Sequence, residues 1–301
     1  MPWECMIVQE EVLSALRSGR PVVALESALI AHGLPHPENW QAAIAMEEVV
    51  RAEGATPATI AVLDGVPRVG LNQDELHFLA TAGPIRKMSR RDLAIALARR
   101  LHGATTVAAT MLIAARAGIR VLATGGIGGV HRGSTYDISA DLPELTRAEM
   151  IVVCAGAKAI LDLPATLEWL ETHGIPVLGY GTAEFPAFYC ATSGLPVDEE
   201  VNSPEEVVHI AKAHWEWGLG GSVLVAVPPP AEAALSRERM ESAIAQALKE
   251  AEERAVRGRE LTPFLLSALS RLTDGESLKA NLALLRHNAG IAARIAVALS
   301  A

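Results

Sequence analysis

The sequence predicts an α/β fold built on one largely parallel sheet, with a layer of helices at its C-terminal end. Three observations predict it. Short runs of β-formers (PVVAL, PATIAVL, IRVLA, IVVC, IPVLG and GSVLVAV) alternate with segments of helical periodicity. Ile151–Cys154 is apolar at every position, which suits a strand buried on both faces of a parallel sheet. Beyond Pro230 only helical stripes remain.

Composition narrows the function classes. Half of the 301 residues are apolar and 20% are charged, enough for a sizeable core. No repeat or low-complexity tract divides the chain, so one domain spanning 1–301 is expected, its helical part from about 231. A formal charge of −9 without a basic run argues against a nucleic-acid surface, and leaves room for a local basic pocket for one phosphate. Cys5, Cys154 and Cys190 are widely spaced, which fits a reducing, cytoplasmic compartment better than a disulfide framework or a zinc cluster. The acidic N-terminus does not read as a leader peptide. No run approaches the ~18 uninterrupted apolar residues of a membrane span.

The elements follow in order. Glu10–Arg17 reads as a helix ended by Ser18-Gly19, and Pro21–Leu25 as a buried strand running straight into Glu26. A carboxylate directly after a buried strand is either a helix cap or surface ion-pair partner, or a site residue, because ligands sit beyond the carboxyl ends of the strands of open α/β sheets. A helix runs from Pro37 to Glu53, then a strand from Pro57 to Leu63 and a turn at Asp64-Gly65 into a short strand. Asn72–Thr81 is helical, and Gly83-Pro84 breaks it. Ser89 and Asp92 form a capping-box-like start to a further helix, with Leu93, Ile95, Leu97 and Leu101 on its buried side. Lys87 then lies just before a helix N-terminus, where backbone N–H groups and the helix dipole favour an anion. A helix is expected over Thr105–Ala117, opened by Thr105 and Thr106, whose hydroxyls serve as caps or as donors to a phosphate or sugar.

After the strand Ile119–Ala123 comes TGGIGGVHRGSTYDISADL. Its glycines permit close approach to a ligand but match neither a dinucleotide fingerprint nor a P-loop. His131 and Arg132 can hydrogen-bond a substrate. Asp137-Ile-Ser-Ala-Asp141 groups two carboxylates and a hydroxyl, which is either an Asx-turn with an N-cap or an oxygen site for Mg²⁺ or Mn²⁺.

The strand Ile151–Cys154 leads through Ala155-Gly156-Ala157 to Lys158. That lysine is either solvated, its stem on apolar surface, or an amine whose charged form is disfavoured by apolar surroundings. A neutral amine attacks carbonyl carbon to give a Schiff base. Helix Pro164–His173 and strand Ile175–Gly179 precede a loop holding Tyr180, Phe185, Phe188 and Tyr189, which packs the core or covers a site. Ser203-Pro204 starts a helix through Trp217, and Gly221–Val227 is the last strand. Met240, Ile244, Leu248 and Ala251 stripe one helix, and Thr262-Pro263 starts the next. In the last, Leu278–Leu299, Asn281 and Asn288 flank the apolar face, to satisfy backbone groups or to reach into a pocket. An acid, an amine, a metal carboxylate and an anion clamp converging on one crevice suit carbon–carbon or carbon–nitrogen bond chemistry on a phosphorylated sugar.

ALESALIAHGLPHPEN, KMSRRDL, GATTVAATM, ATGGIGGVHRG, DISADL, CAGAKAILDL, GTAEFPAFY, LTPFLL and SLKANLALLRHNAG occur in this order from near Ile7 to the last helix. In this the chain resembles the pseudouridine-5′-phosphate glycosidase family, also called indigoidine-synthase-A-like. The resemblance implies a three-layer α/β/α sandwich, a homotrimer, a divalent cation (typically Mn²⁺), and reversible cleavage of the C–C glycosidic bond of pseudouridine 5′-phosphate to ribose 5-phosphate and uracil. It implies Lys158 as nucleophile, Glu26 as acid/base and Asp137 as metal ligand. It places Lys87, Val107, Ser139, Ala140, Asp141 and Asn281 at the substrate, beside the donors Thr106 and His131. The chain departs from the family pattern at Ala183, Ala191 and His287, which bears on substrate scope. Two other classes stay open: a different sugar-phosphate enzyme, such as a kinase or an imine-forming lyase, and a non-enzymatic accessory protein on the same fold.

Overall fold

The parallel strands of the sheet run in the order β3-β2-β7-β9-β13-β11-β12, and helices pack on both faces. In this computed structural model, residues 5–133, 137–256 and 261–301 are described, apart from the side chain of Thr262. The strands at the heart of the sheet are β2 (Val22–Leu25), β7 (Val121–Ala123), β9 (Ile151–Cys154) and β13 (Val223–Ala226), each buried at every position. They are the continuous apolar runs of the sequence, with nothing polar to give to water. They pair in parallel, Ala24 with Leu122, Leu122 with Val152, Val153 with Val225. β11 (Val177–Tyr180) and β12 (Glu199–Val201) extend the sheet on that side. On the other side β3 (Thr56–Leu63) is parallel to β2, and β4 (Val66–Val69) turns back antiparallel through Asp64-Gly65. β1 (Ile7–Val8) adds to β4, and the small pair β5 (Arg86–Met88) and β6 (Gly103–Thr105) joins β3.

α2 (Glu38–Ala52), α8 (Pro204–Glu216) and α11 (Glu276–Ser300) pack together, and α11 lies on β2, β7 and β9. α5 (Val107–Ala117) packs on β2, β3 and β4, with α4 (Arg90–Arg99) and α6 (Asp141–Leu145) against it. The expected α/β/α sandwich is therefore observed. α1 (Glu10–Arg17) packs on β2 and β3, α3 (Gln73–Thr81) on α2, and α7 (Leu163–Thr172) on the antiparallel pair of β8 (Val130–His131) and β10 (Leu161–Asp162). α9 (Arg237–Glu253) and α10 (Leu261–Leu272) form a pair beside α11.

Two expectations are corrected. The helix expected from Thr105 starts at Val107, because Gly103–Thr105 pairs as β6 and the Thr106 hydroxyl caps the helix by accepting from Ala109 N. Lys87 sits on β5, just before the N-cap Ser89 of α4. On α4 the buried side is Asp92, Leu93 and Ala96, a true helical spacing, while Ile95 and Leu97 are 43% and 39% exposed. α11 begins at Glu276, and its apolar side covers the central strands. By length and hydropathy α11 matches a membrane span, yet 56% of that window is buried within the fold.

Candidate active site

Glu26, the glycine-rich loop and Lys158 follow the carboxyl ends of β2, β7 and β9, three strands adjacent in the sheet. The chain leaves β2 for β3 on one side and β7 for β9 on the other, so the crevice lies where strand order reverses, the usual ligand position in such sheets. A cavity of about 860 Å³ occupies it, within the range of small-molecule sites. The residues that the family resemblance places at the site line it: Glu26 and Lys158; Lys87, Val107, Ser139, Ala140, Asp141 and Asn281; and Asp137, together with Thr106 and His131.

Glu26 is 6% exposed. Burial raises its carboxyl above the ordinary range, while the charge of Lys158 and a hydrogen bond donated by Thr124 Oγ1 act against the rise. Behind it Ser27 Oγ and Thr105 Oγ1 each donate to Ile60 O at 2.6 Å, and Thr105 N donates to Ser27 Oγ at 2.9 Å. That buried network fixes the turn from which Glu26 projects. Lys158 is reached through Gly156, whose φ is +83° and where a Cβ would stand 2.4 Å from Pro186 O. No residue with a side chain fits there without displacement. Lys158 N donates to Ile127 O at 3.1 Å, and Ile127 N donates to Gly156 O at 3.1 Å, so the lysine loop is stitched to the glycine loop. Cys154 is no rival nucleophile: burial pushes its thiol up to about 12.

The DISAD segment divides its labour. Asp141 is 5% exposed, and its carboxylate accepts from Ala108 N and Gly128 N, both at 2.9 Å. It ties the glycine loop to the start of α5. Both Asp141 oxygens are engaged by buried backbone N–H groups, which leaves Asp137 as the DISAD carboxylate more open to the cavity. Asp137 is exposed at the cavity, its carbonyl accepting from His131 N at 2.9 Å. Among the described residues no group of three or more His, Cys, Asp and Glu side chains could hold a metal. Mg²⁺ and Mn²⁺ need only one or two carboxylates with waters and substrate oxygens, so Asp137 fits that kind of site.

One end of the cavity is cationic. Lys87, Arg90, Arg91 and Arg147 line it around the start of α4. Arg90 Nη1 donates to both carboxylate oxygens of the buried Glu144, at 2.6 and 2.8 Å, with Arg147 3.5 Å from the same carboxylate. Ser89 Oγ, also lining, is buried with no hydrogen-bond partner among the described residues. Burial without a partner is costly, and an anion at the helix start would supply one.

Sequence reasoning overlooked Thr124, Ser89, Arg147 and the α10 residues Pro263 and Leu266, which face the cavity or bond Glu26 from remote parts of the chain. Thr124 alone carried a local signal, as the first residue after a buried strand. Arg132 is corrected: it does not line the cavity, and donates instead to Ala159 O and Leu161 O. Asn288 is buried and donates to Thr124 O at 2.8 Å, the backbone role open to it. Phe188 lines the cavity, while Phe185 is fully buried, so the aromatic loop both packs and covers. Ala183, Ala191 and His287 do not line the cavity.

Comparison with known proteins agrees with this geometry. The family model described as indigoidine synthase A like protein matches residues 11–298. A protein of Caldanaerobacter subterraneus subsp. tengcongensis named pseudouridine-5′-phosphate glycosidase is 55% identical over 97% of this chain and 96% of its own. One of the same name from Herpetosiphon aurantiacus is 54% identical over 98% of each chain. The crystal structure of the prealnumycin C-glycosynthase AlnA in complex with ribulose 5-phosphate superposes with a TM-score of 0.91 at 40% identity, over 99% of this chain and 97% of that one. An indigoidine synthase A-like protein from Thermotoga maritima gives the same TM-score at 36% identity, over 99% of this chain and 98% of that one. By sequence and by structure along nearly its whole length, the chain belongs to the indigoidine synthase A like protein family.

Proposed function

We propose that the protein catalyses reversible cleavage of the C–C glycosidic bond of pseudouridine 5′-phosphate, with water, to ribose 5-phosphate and uracil. The observation that carries this is the pairing of a buried acid, Glu26, with an amine, Lys158, in one cavity that is cationic at one end. The names of the relatives support the substrate, and the ribulose 5-phosphate held by the AlnA structure supports a pentose phosphate.

A bond from C1′ to uracil C5 offers no lone pair to protonate, so the acid–base pair of an ordinary glycosidase does not suffice. Protonated Glu26 gives its proton to the ring oxygen as the C1′–O bond breaks, and Lys158 Nζ bonds C1′. A proton then passes to uracil C5 as the C1′–C5 bond breaks. The bonding electrons stay with the base, and C1′ remains as the iminium of Lys158. Water adds, the amine leaves, and ribose 5-phosphate is released. Burial keeps Glu26 protonated further toward neutral pH than a surface carboxyl, which suits the acid role. Lys87 and the start of α4 take the phosphate, and Asn281 and His131 orient the sugar and base. Asp137 would hold the divalent cation, Mn²⁺ in this reading, whose charge offsets that of the bound phosphate and hydroxyls.

Incubation with pseudouridine 5′-phosphate and Mn²⁺, with and without chelator, tests the reaction through release of free uracil. Lys158→Arg keeps the charge and loses the nucleophile, so turnover vanishes while substrate binding is partly retained; wild-type turnover in that variant refutes the assignment. This reading carries a cytoplasmic location, supported by the free cysteines, and a homotrimer, which light scattering measures.

A further inference from the structure

We propose that Arg132 is a positioning residue that sets the reach of Lys158, acting on the nucleophile's loop rather than on substrate. The inference rests on the reading of Lys158 as nucleophile. Arg132 follows β8 and lies outside the cavity lining. Its Nε donates to Leu161 O at 3.1 Å and its Nη2 to Ala159 O at 3.2 Å. Those carbonyls belong to the turn that Lys158 itself opens, closed by Leu161 N donating to Lys158 O at 2.9 Å. The third arm, Nη1, reaches Glu241 on α9 at 3.2 Å.

The rest of the loop shows why such a clamp matters. Upstream of Lys158 the backbone is held by Ala155 N donating to Gly125 O at 2.9 Å and by the Ile127 bonds described above. Downstream, between Lys158 and α7, β10 contributes only Leu161 and Asp162 to a two-stranded pair. Arg132 supplies the side-chain bonds to the turn between them. A planar guanidinium can bond two carbonyls two residues apart while its remaining nitrogen meets a carboxylate. An ammonium is a single point of charge and cannot hold both carbonyls in a fixed plane. A nucleophile must meet C1′ in a narrow geometry, and a shift of about 1 Å at such a site costs on the order of a hundredfold in rate.

The test compares Arg132→Met, Arg132→Lys and Glu241→Gln with wild type for kcat and KM on pseudouridine 5′-phosphate. It also follows the rate at which borohydride traps ribose 5-phosphate on Lys158, read by peptide mass. Arg132→Met should lower kcat and the trapping rate together by on the order of a hundredfold, with KM unchanged. Arg132→Lys should fall between, and Glu241→Gln should lose less than about fivefold, as befits an exposed pair. Wild-type trapping and kcat in Arg132→Met, or a loss confined to KM, overturns the clamp. If Arg132→Met does not fold, the same split in Arg132→Lys decides. Absence of any adduct on Lys158 in wild type overturns the nucleophile reading itself, a result distinct from equal trapping in wild type and variant.

Discussion

Glu26 shows the trade between stability and function at the scale of one residue. Its carboxyl is raised by burial, so the folded state holds the proton more tightly than the unfolded chain. Its contribution is therefore fully present below the unfolded value and is lost as pH rises through the folded one. Glu26→Gln should raise the melting temperature by a few degrees at neutral pH, for about 1 kcal/mol, and change it little near pH 4, while activity is lost. Melting curves at the two pH values decide; a lower Tm at neutral pH would show that the Thr124 and Lys158 interactions outweigh desolvation. Asp141 holds the fold together through main-chain hydrogen bonds. Asp141→Ala strands the N–H groups of Ala108 and Gly128, and should cost about 2–4 kcal/mol in denaturant unfolding. Gly128→Ala places a Cβ 2.1 Å from Ser139 Oγ, so the DISAD loop must move and KM should rise.

Among the elements, α11 decides whether the C-terminal helices are an appendage. It packs on β2, β7 and β9, the strands that carry Glu26, the glycine loop and Lys158. A chain ending at Pro230 should therefore fail to fold cooperatively, as judged by near-ultraviolet circular dichroism. A folded, cooperative fragment would contradict the packing. Within α11, the fully buried Ile295 lies away from the cavity. Ile295→Ala should cost about 2–5 kcal/mol of stability and leave KM unchanged.

Over the whole molecule, the proposed site residues come from residue 26 to residue 281 and meet only at the switch point of the sheet. That arrangement places an acid and an amine in a cavity walled by apolar strand ends, with the cations at the α4 end. Phosphate should therefore matter to binding more than to chemistry. Unphosphorylated pseudouridine should show a KM raised by on the order of a hundredfold or more, as the loss of charge-assisted bonds would give, with kcat less affected. Equal KM values for the two nucleosides would place the phosphate elsewhere.

The sequence by itself determined the strands and most helices, because a doubly buried strand must be apolar throughout and Gly, Pro and capping residues punctuate the chain. It also singled out Glu26, directly after such a strand, and Lys158, beyond the short turn that follows another, as candidates, and its ordered motifs led to the family. Tertiary structure alone decided which exposed-looking groups do backbone work. Asp141 and Arg132 read as ligand contacts from their loop, yet Asp141 also holds two backbone N–H groups and Arg132 bonds two carbonyls and the Glu241 carboxylate. It also decided that Ile95 and Leu97 face outward and that α11 lies under the site. Local pattern records which residues must leave water; which partner each meets depends on how distant strands and helices are brought together.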